Sequence, residues 1–81
     1  MSWFVYLVIT SKNTLYCGYT INIEKRVATH NAGRGAKYTQ KRLPVKLVYS
    51  EEFATKTEAM QREYAIKQMS RSEKLKLIKN T

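Results

Sequence analysis

Five side chains in this sequence have the types and spacing to do chemistry together. Tyr6 and Tyr16 sit in two neighbouring apolar runs, Arg26 and His30 lie one helical turn apart, and Glu63 follows far downstream. A phosphodiester is an anion attacked by water, so its hydrolysis needs an activated water and relief of negative charge. Two phenols, a guanidinium, an imidazole and one carboxylate able to hold a single hard metal ion are the parts such a cleavage requires. A phenol with a pKa of ~10 is a poor base until a nearby cation or metal lowers that value. A guanidinium can grip a phosphate through a bidentate fork, and an imidazole can accept or relay a proton.

The elements around these residues decide whether they can meet. Residues 3–9 are β-branched and aromatic with no charge and are expected to form a buried strand. Residues 10–14 form a turn, and residues 15–19 the returning strand of a hairpin. Side chains alternate faces along a strand. An odd loop, such as Ser11 to Asn13, places Tyr6 opposite Gly18 and Val8 opposite Tyr16. Both tyrosines then share a face, and Gly18 leaves space beside Tyr6. An even loop splits the tyrosines between faces, and the sequence is compatible with either register.

Asn22 is a suitable N-cap for a helix from Ile23 to about Ala32, with Gly33 as its stop. At 3.6 residues per turn, Ile23, Arg26, Val27 and His30 fall on one stripe beside the buried edge of that helix. Residues 34–46 carry five basic side chains and no acid, and Gly35 and Pro44 make them a loop with room for one short helical turn. A third strand is expected over residues 45–50. Thr55 with Glu58 forms a capping box opening a helix to about Met69, on which Ala59, Met60, Glu63 and Ile66 share a side. Ser70 with Glu73 forms a second box, opening a final helix through Leu75, Leu77 and Ile78. The order is β-β-α-loop-β-α-α, without repeats or linkers.

Eighty-one residues allow one domain, residues 1–81, with a thin core and little room for an elaborate cofactor cavity. Fifteen Lys and Arg oppose six acidic residues, for a net charge of +9. That surplus points to a polyanionic partner. One cysteine excludes an internal disulfide, and with one histidine it excludes a Cys-rich zinc site. The start lacks the features of a signal peptide and the apolar run at residues 4–9 is too short to span a bilayer, so a cytoplasmic setting without membrane contact is expected. Each residue singled out also has an ordinary reading. Arg26 can pair with Glu24 or Glu58, His30 can end a helix, Glu63 can bridge Arg62 or Lys67, and Cys17 can be a small buried side chain.

The order and spacing of the motifs resemble the GIY-YIG nuclease domain, and closely its stand-alone bacterial members of about this length, the UPF0213 type. The two name-giving motifs stand here as Phe4-Val5-Tyr6 and Tyr16-Cys17-Gly18. The runs Gly18-Tyr19-Thr20, Arg26, His30-Asn31, Gly35 to Thr39, Arg42 to Val45, Leu47 to Tyr49 and Arg62-Glu63 match that subgroup, so the resemblance spans about residues 3–78. It implies an α+β fold with a three-stranded antiparallel sheet flanked by helices. It implies metal-dependent phosphodiester cleavage with one Mg²⁺ or Mn²⁺. Mapped onto this chain, Tyr6 and Tyr16 are the paired tyrosines, Arg26 the helix arginine, His30 the subgroup's histidine and Glu63 the metal carboxylate. Phe4 stands where the motif name has Gly. The late Asn of many larger members has no equivalent beyond Gln68 or Lys67.

The expected activity is metal-dependent cleavage of DNA, single-stranded or branched, with RNA also open. Lys37, Tyr38, Lys41 and Arg42 are expected along one wall of the groove, with Tyr38 offering a ring on which a base or sugar can stack. The alternatives are a nucleic-acid-binding module without catalysis and an accessory subunit of a DNA-repair complex. The DNA-recognition domains of larger relatives are missing, so targeting falls to this domain or to a protein partner.

Overall fold

The computed structural model describes residues 1–80. Three antiparallel strands, β1 (Trp3–Thr10), β2 (Leu15–Thr20) and β3 (Val45–Phe53), form one sheet in the order β2-β1-β3. Four helices follow in chain order around them: α1 (Ile23–Asn31), α2 (Lys37–Gln40), α3 (Lys56–Lys67) and α4 (Arg71–Lys79). The architecture is the expected α+β fold, and the short helical turn in the basic segment is α2. Among the described residues no helix is long and apolar enough to cross a membrane.

The hairpin takes the odd register. Thr10 N–H donates to the Thr14 carbonyl, and the three residues between them close with Asn13 at φ 60°. A left-handed third residue is the usual chemistry of such a loop, and Asn tolerates it. Tyr6 therefore pairs with Gly18 and Val8 with Tyr16.

Both faces of the sheet are covered, which is why β1 reads as an unbroken apolar run. On one face Val5, Leu7, Cys17 and Tyr49 meet Ala59 and Ile66 of α3, with Leu77 and Ile78 of α4 packed alongside. On the other, Tyr6, Val8 and Val45 meet Tyr16, Val27 of α1 and Leu43. A β-bulge in β3 serves both cores. Leu7 pairs with Tyr49 but Val8 pairs with Leu47, so Val48 is the extra residue. Val48 and Tyr49 then pack on the same cluster although they are consecutive, an arrangement that strict alternation forbids.

The helix starts follow local chemistry. Asn22 Oδ1 accepts from Lys25 N–H, and both expected capping boxes form, Thr55 with Glu58 and Ser70 with Glu73. Three expectations need correction. β3 runs to Phe53 because residues 51–53 pair with Val5, Phe4 and Trp3, a long-range gain that local preference does not reveal. α3 ends at Lys67, where Met69 leaves the helix to pack on the first core and Ser70 caps the next. Met60 does not share the buried side of α3: it is 44% exposed, while Ala59 and Ile66 are fully buried.

Ile66→Ala should therefore cost about 2–5 kcal/mol in urea unfolding, because it opens a cavity between α3 and the sheet. Met60→Ala should change stability by no more than about 0.5 kcal/mol. Equal losses would mean that α3 is rotated from the orientation described.

Candidate active site

Tyr6, Tyr16, Gly18, Tyr19, Arg26 and Glu63 line one open cleft of about 320 Å³ beside the β1–β2 hairpin. The hairpin register delivers the tyrosines, α1 delivers Arg26 and α3 delivers Glu63. Among the described residues Arg26 makes no ion pair, with Glu24, Glu58 or any other carboxylate. Its charge faces the cleft beside Tyr6. The carboxylate of Glu63 lies 3.7 Å from the Lys67 ammonium, and Arg62 turns instead to Glu51 at 3.0 Å. Glu51 also accepts from Tyr49, which fixes α3 to β3 next to the cleft.

The two tyrosines are held differently. Tyr6 is 1% exposed, and its Oη lies 2.8 Å from His30 Nε2. Its ring fills the space over Gly18: a Cβ there would sit 2.5 Å from Tyr6 Oη and 2.7 Å from Cζ. The Tyr16 ring packs edge-on against His30 at 5.4 Å and stacks with Tyr38 at 5.9 Å, with Lys67 Nζ 6.0 Å from its centroid. Among the described residues the Tyr16 hydroxyl has no hydrogen-bond partner.

His30 does not line the cleft. It is fully buried behind Tyr6, and its Nδ1 lies 2.9 Å from Thr39 Oγ1 of α2. Its Nε2 reaches the cleft-lining Tyr6, through which it is linked to the cleft. Burial, with the Arg26 charge second, holds the imidazole below its ordinary pKa and keeps it neutral. Burial likewise pushes the Tyr6 phenol up, against the opposing pull of Arg26, so Tyr6 rests protonated. Cys17, buried and near Glu63, is pushed up to about 12 and stays an unreactive thiol.

The basic segment is fastened to the site through aromatic contacts. Lys37 and Lys41 are exposed at the ends of α2. Tyr38 is not a free platform. Arg42 lies 4.0 Å over its ring and donates to its carbonyl, and Tyr16 stacks on it. Its ring links Arg42 to Tyr16 while remaining 38% exposed. Three residues here carry no role in the sequence reading. Thr39 holds His30. Gly35 closes over the imidazole, where a Cβ would lie 2.2 Å from Nδ1. Asn31 makes two bonds to the Val45 backbone. Thr39 and Gly35 belong to a run that matched as a motif, the one signal available for them.

The donor set suits a hard cation. One carboxylate residue and three tyrosines line the cleft, with no cysteine or histidine among the lining residues. Among the described residues no three His, Cys, Asp or Glu side chains cluster, so an ion held by Glu63 would complete its shell with water and phosphate oxygens.

Comparisons with known proteins show the family to which this chain is similar. The pattern of the GIY-YIG catalytic domain matches residues 2–76. The UPF0213 protein SH2523 of Staphylococcus haemolyticus is 61% identical over 75 residues, covering 93% of this chain and 92% of its own. The UPF0213 protein NP_0776A of Natronomonas pharaonis is 53% identical, covering 93% and 88%. The solution NMR structure of the UPF0213 protein BH0048 from Bacillus halodurans superposes with a TM-score of 0.65 at 38% identity, covering 100% of this chain and 86% of that one.

Gly18→Ala should displace Tyr6 and cost about 1–3 kcal/mol in urea unfolding, as overpacking does. A neutral outcome would mean the phenol does not fill that space. A second expectation concerns pH. The unfolded chain takes up the His30 proton near pH ~6.5, whereas the folded chain takes it up only at lower pH. The stability contributed by the neutral imidazole is therefore complete above that value and lost as pH falls below it. The urea midpoint should drop between about pH 7 and 5.5, and His30→Gln should flatten that drop. Identical slopes in the two proteins would show that His30 is not the group titrating.

Proposed function

The chain belongs to the GIY-YIG catalytic-domain family, and from that premise we propose that it is a metal-dependent nuclease hydrolysing phosphodiester bonds in DNA. The observation that carries this reading is the convergence of Tyr6, Tyr16, Arg26 and Glu63 on one open cleft. The net charge of +9 supports a polyanionic substrate. In this reading Lys37, Lys41 and Arg42 would contact backbone phosphates beside the cut, with Arg42 held over the Tyr38 ring for that contact.

Glu63 would hold one Mg²⁺ or Mn²⁺, which when bound neutralises phosphate charge and makes water a better nucleophile. Arg26, free of any carboxylate, grips the phosphate through its fork. Tyr6 is a relay rather than a standing phenolate. Its Oη takes one proton from the attacking water while its own phenolic proton passes to His30 Nε2. The hydroxide oxygen bonds to phosphorus as the bond from phosphorus to the leaving oxygen breaks, and that oxygen takes a proton from solvent. His30 then returns its proton through Tyr6 to water, leaving a phosphomonoester and an alcohol. The unpartnered Tyr16 hydroxyl orients the water or a phosphate oxygen.

The test is cleavage of single-stranded, branched and duplex DNA, with RNA alongside, in Mg²⁺ or Mn²⁺. Glu63→Gln should abolish metal-dependent cutting while leaving DNA affinity unchanged or raised, because it removes one negative charge facing phosphate. Arg26→Ala should lower both turnover and affinity, since its fork acts in ground and transition states alike. Undiminished cutting by Glu63→Gln would make Glu63 a helix-surface charge and leave a binding module as the better reading. With four to six phosphate contacts, affinity should fall about 10²–10³-fold between about 50 and 200 mM salt. A flat salt response would remove the polyanion reading.

A further inference from the structure

We propose that Thr39 is a positioning residue: it fixes His30 in the Nδ1–H tautomer and so keeps Nε2 bare to receive the proton of Tyr6. This rests on the Tyr6–His30 transfer proposed above. The deduction itself comes from counting hydrogens. A threonine hydroxyl has one hydrogen to give. Thr39 Oγ1 lies 2.8 Å from the Ala36 carbonyl, which can only accept, and 2.9 Å from His30 Nδ1, so making both bonds requires it to donate to the carbonyl and accept from Nδ1. Nδ1 must then carry a hydrogen. A neutral imidazole has one N–H, which leaves Nε2 as an acceptor and makes Tyr6 Oη the donor across their 2.8 Å contact.

The surroundings prevent escape from this arrangement. Thr39 and His30 are both fully buried, so water has no access to take over either bond. Gly35 closes over Nδ1 at a distance no Cβ tolerates. The groups around the imidazole are Tyr6 of β1, Tyr16 of β2, Arg26 of α1 and Thr39 of α2. None supplies an acidic partner that could hold a second proton at rest. The opposite tautomer would put the imidazole hydrogen between Nε2 and Tyr6 Oη. Tyr6 would then have to donate elsewhere, and a proton taken from water would have no exit.

The chain contains one histidine, so a ¹⁵N-histidine label reports on His30 alone. Long-range proton–nitrogen NMR of the wild type at neutral pH should show a protonated Nδ1 and a bare Nε2. Thr39→Val, which keeps the shape and loses the acceptor, should shift the signals toward protonated Nε2. It should lower kcat by about 10²-fold, the lower range for loss of a proton-transfer group, with KM little changed. Thr39→Ser should restore both the tautomer and kcat. A wild type with protonated Nε2 overturns the proposal. So does a folded Thr39→Val that keeps the Nδ1–H tautomer and wild-type kcat. If Thr39→Val fails to fold, the wild-type tautomer and a Thr39→Ser protein matching it in tautomer and kcat support the proposal, and a departure in either overturns it. A wild type that cuts nothing yet shows Nδ1–H removes the nuclease reading while supporting the tautomer assignment.

Discussion

Burying a phenol and an imidazole side by side costs free energy unless each polar atom finds a partner. Tyr6, His30 and Thr39 meet that demand in one chain of hydrogen bonds ending on the Ala36 carbonyl. Among the described residues no buried side-chain nitrogen or oxygen is left unpaired. The chain joins β1, α1 and α2. Its members are fixed by each other, and Gly18 and Gly35 give them the room to approach. An open cleft can therefore rest on a thin core, because the groups behind it are held by directional bonds as well as by packing.

The acidic side chains are distributed with similar economy. Glu58 and Glu73 serve in capping boxes, Glu51 holds Arg62 and Tyr49, and Glu52 accepts from Ser2. Each is thus tied to a fold-bearing contact at a helix start or along β3. Glu63 is the one carboxylate that lines the cleft, and Lys67 partly offsets its charge. Among the described residues the cleft thus carries a single carboxylate, in a chain with a net charge of +9.

Much of this was legible in the sequence, and the limits have physical causes. Helix starts could be read because Asn22, Thr55 and Ser70 act on residues three places away. The hairpin register came down to loop parity, which fixes the face of Tyr6 and Tyr16 once Ser11–Asn13 is the loop. Ends set by distant partners were not legible: β3 reaches Phe53 because β1 is there to pair with it, and Met60 faces solvent because the core needs only Ala59 and Ile66. His30 was placed on the right stripe of α1, yet its burial depends on Thr39 and Gly35 arriving from a segment that reads as loop. Tyr38 among cations suggested an open stacking surface. Only the folded chain brings Tyr16 and Arg42 against its ring.

The two bonds between the Asn31 side chain and the Val45 backbone have a wider consequence. An amide side chain there imitates a neighbouring strand, and it ties together the two ends of the segment that includes α2. The span between those ends is set by that clamp, whatever conformation lies between them. Insertions or substitutions on the outer side of this segment can then reshape that surface while the hairpin and α1 stay in place. The segment behaves as an exchangeable module with one internal obligation, to return a hydroxyl acceptor to the imidazole. Small chains of this design can diversify in what they bind without rebuilding the machinery behind it.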